Sequence, residues 1–208
     1  MPDHQRARVP DQPRAIVTDQ PPFKPTKAQL AEAAYQTLPD LIARNLHVLF
    51  CGINPGLYTT AIGHHFGRPG NRFWPALHGS GFTSELVSPW NERELLARQL
   101  GITNVVSRTT ATAAELRREE YSAGGERLRT TIKRYRPTVL AVLGVGAYRT
   151  AFEEPKAVLG LQSTTLGDTA LWVLPNPSGL NANYQLPDLI RLFRELREWV
   201  EARQRLMF

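Results

Sequence analysis

The sequence predicts an α/β fold: a three-layer α/β/α arrangement around a central, mostly parallel four-stranded sheet. Four apolar runs, "HVLFCGI" from residue 47, "GITNVV" from 101, "TVLAVLGV" from 138 and "ALWVLP" from 170, are rich in Val, Leu and Ile without strict alternation. Strands covered on both faces read in this way. Segments of helical length separate the runs, as crossovers between parallel strands require. The length of 208 residues, with 42% hydrophobic and 21% charged residues, suits one soluble globular domain and is short for two.

Residues 1–25 mix prolines with both charge signs and lack apolar periodicity, so they read as a flexible arm, and the domain is expected over 26–208. Thr26 with Gln29 forms a capping-box pattern, and Leu30, Ala33, Ala34, Thr37, Leu38, Leu41 and Ile42 continue a helical stripe, interrupted at Pro39. A first helical region over 27–43 is therefore predicted. Apolar residues recur at helical spacing in "NERELLARQL" from 91 and "AGGERLRTTIKRY" from 123. The chain closes on "PDLIRLFRELREWVEARQRL", where Pro187 suits a first turn and Leu189, Ile190, Phe193, Leu196 and Val200 form a stripe. Arg191 with Glu195 and Arg194 with Glu198 stand at i,i+4 on this helix.

Composition narrows the function classes. A formal charge of +6, mostly from arginine, favours a polyanionic partner. Cys51 is the single cysteine, so no disulfide within the chain and no multi-cysteine zinc site is expected, which fits a reducing compartment. No apolar stretch approaches a membrane span or a secretory signal core, and a cytoplasmic protein is expected.

In an open α/β sheet the ligand site lies beyond the carboxyl ends of the strands, where the loops after residues 53, 106, 144 and 174 should meet. The loop after the third run, "LGVGAYR", carries Gly144 and Gly146 but neither a third glycine nor a following acid, so it reads as tight packing rather than a dinucleotide fingerprint. A Walker lysine is missing too. The other three loops hold "GINPG", "NVVSRTTATAAEL" and "LPNPSGLNANYQ".

In the order "GINPG", "GHHFGRPGNRFW", "GITNVVSRTT" and "LPNPSGLN", over about 47–200, the motifs resemble the mismatch-specific uracil-DNA and thymine-DNA glycosylase family, within the uracil-DNA glycosylase superfamily. The resemblance implies a monofunctional enzyme of base excision repair. Such an enzyme flips uracil out of a G:U mismatch in duplex DNA, hydrolyses the N-glycosidic bond and leaves an abasic site. Flipping is required because the scissile bond is inaccessible inside the stack. A lesion-recognising binding module of the same fold with little turnover is the alternative. Double-stranded DNA containing uracil or a mismatched pyrimidine is the implied partner, the implied state is a monomer, and neither cofactor nor metal is implied.

By the same resemblance Asn54 is catalytic. Its neutral carboxamide does not titrate near pH 7, so it orients a water through its carbonyl oxygen rather than removing a proton. Ile53, Thr59, His65, Phe66, Asn104 and Thr110 are implied for the base pocket, with Phe66 stacking on the base and Thr59 at the C5 edge, where its bulk favours uracil over thymine. His64 and His65 form the pocket wall or donate to the base. Asn71 and the "RFW" after it buttress the pocket. Leu180 is the implied wedge, Gly179 and Asn181 offer backbone groups to the orphaned partner base, and Ser178 meets phosphate. In isolation Asn54 also reads as an Asx turn before Pro55, Phe66 as core and Leu180 as a loop residue folded back. Ser107 departs from the pattern, which usually has an acid there, so any role of that carboxylate in ordering the pocket is missing or supplied elsewhere.

Overall fold

The computed structural model describes residues 22–206. The arm up to residue 21 lies outside the described residues. Of its remainder, Phe23 packs on Trp90 with ring centroids 5.5 Å apart.

Five strands form one sheet in the order β2-β1-β3-β5-β4, with β1 Val48–Gly52, β2 Leu100–Asn104, β3 Val139–Leu143, β4 Gly160–Leu166 and β5 Thr169–Leu174. The four expected apolar runs are β1, β2, β3 and β5; they pair in parallel, and every one of their residues is buried. The fifth strand corrects the four-stranded expectation. β4 pairs antiparallel with β5 at the sheet edge, and only Gly160, Gln162 and Leu166 of it are even half-covered. Its "QSTT" centre lacks the apolar run by which a doubly covered strand is recognised.

Helices cover both faces. Phe50 of β1 points to one side, where its ring meets Phe73 at 5.4 Å, Phe82 at 5.4 Å and Phe193 at 5.8 Å. This side is closed by α3 (Phe73–Gly79) and α7 (Leu186–Arg205). Its neighbours Leu49 and Cys51 point to the other side, against Leu128 and Ile132 of α5 (Arg118–Tyr135) and Tyr148 of α6 (Val145–Ala151). Full burial of each such side chain contributes about 1.5–3 kcal/mol. Burial also pushes the Cys51 thiol far up from its ordinary pKa, which leaves it inert packing.

Two local expectations change. The first helix, α1, spans Lys27–Ala33 with the Thr26 capping box in place, and does not reach 43. Past Pro39 the chain is drawn into the sheet edge instead: Leu41 and Ile102 exchange backbone hydrogen bonds of 2.9 and 2.8 Å. On α7 the Arg191–Glu195 pair forms at 2.6 Å. Arg194, however, donates to the Gly79 carbonyl at 3.2 Å, and Arg197 pairs with Glu201 at 2.5 Å.

The chain runs from β1 to β2 on one side and then returns to β3 on the other, so the order reverses between β1 and β3. At that crevice Ile53 follows β1 and Gly144 follows β3. A Cβ on Gly144 would lie 3.3 Å from Ile53 Cδ1. Ligand crevices of open α/β sheets form at such a reversal.

Candidate active site

Beyond β1 the backbone stays bonded to the loop after β2. Val105 N donates to Gly52 O at 2.8 Å, Val106 N to Ile53 O at 2.9 Å, and Thr110 N to Pro55 O at 3.2 Å. Between these ties sits Asn54, half-buried. Its Nδ2 donates to Thr110 Oγ1 at 2.7 Å, Arg108 O at 3.0 Å and Pro55 O at 3.2 Å. Two of these three partners are carbonyl oxygens, which only accept, so the atom facing them must be the NH2 group. Oδ1 is thereby turned the other way and accepts no hydrogen bond from the described residues. An Asx turn would engage that same oxygen with a backbone N–H two residues on, and no such bond is present.

Each anchor is itself held. The Thr110 hydroxyl donates to Thr112 O at 2.8 Å, which leaves a lone pair for Asn54. Thr110 was expected against the base; the structure places it behind the asparagine. Arg108 forms a two-pronged pair with Glu120 of α5, Nε to Oε1 at 2.7 Å and Nη2 to Oε2 at 3.1 Å. Glu120 thus brings a carboxylate to the loop that carries Ser107. The Arg108 bond, with help from the Arg117 N–H, lowers the Glu120 carboxyl from the ordinary 4.5 to about 2. A carboxyl lowered on folding stabilises fully above its unfolded pKa and loses this as pH falls through the folded value. The clamp on Arg108 is therefore complete above 4.5 and fails only as pH falls through about 2.

The second wall is the loop after α2 (Leu57–Ile62). Thr59, within α2, is 8% exposed, and its carbonyl accepts the His64 N–H at 3.2 Å. His65 is 2% exposed, and its backbone N–H, Nε2 and carbonyl are all engaged inward. Its N–H donates to Glu92 Oε2 at 2.7 Å, its Nε2–H to Pro39 O at 3.0 Å, and its carbonyl accepts Trp74 Nε1 at 3.2 Å. Burial lowers its pKa from 6.5, with the Glu92 carboxylate opposing, so the ring is neutral at pH 7. His65 therefore builds the inner wall and does not donate to a base. His64 Nδ1 also reaches Glu92, at 3.3 Å from Oε1.

Phe66 follows directly, in the left-handed region at φ 53°. A bulky residue there is strained, at a cost of order 1–3 kcal/mol, and persists only where its surroundings impose it. The imposing contacts are the His65 clamp on one side and Phe73 on the other, whose ring stacks on Phe66 at 4.1 Å with planes 23° apart. Glu92→Ala leaves the buried His65 N–H without a partner, a loss of about 1–3 kcal/mol. The variant is expected to melt earlier by calorimetry and to free Phe66 from this backbone conformation.

Asn104 ends β2 beside this ring. A Cβ on Gly52 would stand 2.5 Å from Asn104 Oδ1 and 3.4 Å from Phe66 Cζ, so the amide and the ring edge meet over the bare glycine. Asn104 is 6% exposed, yet its amide has no hydrogen-bond partner among the described residues. An amide so nearly buried normally finds one. The free amide, the half-buried face of Phe66 and the Asn54 carbonyl oxygen offer a planar polar heterocycle one donor–acceptor pair, one ring and one water acceptor.

The loop after β5 differs from expectation in detail. Leu180 is 74% exposed and does not fold back onto the core. Ser178 Oγ accepts the Leu180 N–H at 3.3 Å. The Asn181 N–H donates to Ser178 O at 3.0 Å and its carbonyl accepts from Arg72 at 2.8 Å, so of its backbone groups only the second lone pair of the carbonyl is left for a partner base. Gly179, exposed, makes no backbone hydrogen bond to the described residues.

Glu92, Glu120 and the Arg108 carbonyl were missed from sequence. Glu92 is 27 residues from His65 and Glu120 is 12 from Arg108, and neither spacing carries a local pattern. A model described as the uracil DNA glycosylase superfamily matches residues 39–201. Among solved structures, the chain is similar to a solution NMR structure from Methanosarcina acetivorans whose protein is provisionally described as a uracil DNA glycosylase. The similarity has a TM-score of 0.52 and 16% identity over 78% of this chain and 98% of that one, a likeness of fold.

Proposed function

Since the chain belongs to the uracil DNA glycosylase superfamily, we propose that it is a monofunctional glycosylase of base excision repair, removing uracil flipped from G:U mismatches in duplex DNA. It does so as a monomer, without a cofactor. The observation that carries this reading is the Asn54 amide, pinned through its nitrogen by Thr110, Arg108 and Pro55 so that the carbonyl oxygen is left to hold a water.

Cleavage of the bond between C1′ and N1 develops positive charge on the sugar and negative charge on the base. A water aligned by Asn54 Oδ1 meets the sugar carbon, while the Asn104 amide lies where it can donate to the departing uracil. Stacking on Phe66 adds about 1–3 kcal/mol of base affinity. The water gives oxygen to the sugar, its proton leaves to solvent, and the base departs as the anion or is protonated by solvent. Lys24, Lys27, Lys133 and Lys156 are all the lysines of the chain, and none lies in the four loops that form the site. This favours water over an amine nucleophile, and hence hydrolysis without strand cleavage by the enzyme. Leu180, exposed on a loop beside the site, suits the gap left by a flipped nucleotide.

The test is a 5′-labelled duplex carrying one G:U pair, incubated with the protein and then heated in alkali. A single cut at the uracil, seen only after alkali, is expected. Tight binding of the G:U duplex with no cut after prolonged incubation would favour the binding-module reading instead.

A further inference from the structure

The geometry points to Arg72 as the positioning residue that sets how far Leu180 projects, an inference that rests on the duplex-opening reading above. The Leu180 side chain is largely in solvent, so packing of the side chain itself does not hold it out; the loop backbone must. That backbone is gathered around one guanidinium. Arg72 Nη2 donates to Ser178 O and, at 2.8 Å, to Asn181 O, the carbonyls on either side of the Gly179–Leu180 tip. Nη1 donates to Tyr184 O at 2.7 Å and to Gln185 Oε1 at 3.1 Å, and the Arg72 N–H donates to Pro177 O at 2.9 Å. One residue therefore holds both ends of the segment 177–185 and both flanks of its tip.

Arg72 is itself fixed from the pocket side. It stands at the start of α3, whose first N–H, that of Phe73, is capped by Asn71 Oδ1 at 2.9 Å. Phe73 is the ring on which Phe66 stacks. A Cβ on Gly179 would come within 2.5 Å of Gly70 O, so the tip also rests on the backbone two residues before Arg72. The wedge loop and the base pocket thus share one rigid corner. Among the described residues no carboxylate pairs with Arg72. Carbonyl dipoles take its charge instead, and they need a planar fork reaching several directions. A lysine keeps the charge but, as a single point of donors, cannot span carbonyls of residues 178, 181 and 184.

The experiment is a double-mutant cycle of Arg72→Lys and Leu180→Ala, read as single-turnover uracil excision from a G:U duplex at saturating enzyme. It is run below the melting temperature of every variant. R72K is expected to slow excision about tenfold, L180A by a similar factor, and the pair to be no slower than L180A by more than about twofold. The fluorescence rise of 2-aminopurine placed beside the uracil should shrink alike in all three. Multiplying losses would overturn the inference, since Arg72 would then act elsewhere. An R72K rate equal to wild type beside a slow L180A would overturn it while sparing the wedge. A wild-type rate for L180A would remove the wedge reading and this inference with it.

Discussion

Asn54→Ala is expected to leave a folded protein that still binds a G:U duplex and to lower single-turnover excision by about two to three orders of magnitude. The carbonyl oxygen is the one acceptor aimed away from the amide's three anchors, so without it the water keeps no preferred position. Folding should lose only about 1 kcal/mol, because the Pro55 carbonyl keeps its bond from the Thr110 N–H and the carbonyl of the exposed Arg108 can turn to solvent. Asn54→Asp is the sharper variant. A carboxylate would set an oxygen against those two carbonyl oxygens, which have no proton to give, and only the Thr110 hydroxyl could turn to meet it. Despite being the stronger base, it is therefore expected to stay below wild type at neutral pH. Excision by Asn54→Ala within about tenfold of wild type would remove the water-holding role.

What the sequence could reveal follows from which interactions are local. β1, β2, β3 and β5 were legible because both faces of each are covered, which demands uninterrupted apolar runs. β4 was not, because an edge strand half in solvent tolerates Gln162, Ser163, Thr164 and Thr165. The helical stripe through Leu41 and Ile42 misled because Leu41 serves equally as a bridge partner for Ile102, and tertiary pairing overrode periodicity. In the site, Asn54 was visible through its motif, but two of its three anchors are backbone carbonyls, which every residue possesses. Glu92 and Glu120 look like surface acids in the sequence; only the fold shows that one faces a buried histidine and the other a loop arginine. Asn181 shows the converse: the motif names the residue, while the hydrogen bonds within its loop decide what it has left to offer.

Gly52→Ala adds a single methyl, yet it is expected to lower kcat/KM for uracil excision by about ten- to a hundredfold, the order that misplacing an active-site group by about 1 Å costs. The new carbon would stand 2.5 Å from Asn104 Oδ1, closer than a carbon and an oxygen can rest, and 3.4 Å from the Phe66 ring. Gly52 is itself strand backbone, paired in register with Asn104 through β1 and β2, so the main chain cannot move away without breaking the sheet. The Asn104 amide has no protein hydrogen bond to hold it in place and is the part that yields. Its displacement carries the amide into the space in front of Phe66 and removes the donor proposed for the leaving base. The loss should appear as both a raised KM and a lowered kcat, with the melting temperature changed far less than the rate. Gly52→Ala combined with Asn104→Ala makes room for the methyl, so it should melt close to Asn104→Ala alone and be no slower than it. If the pair is slower than either single variant, the methyl acts on the strand rather than on the amide, and the pocket floor is not where Gly52 matters.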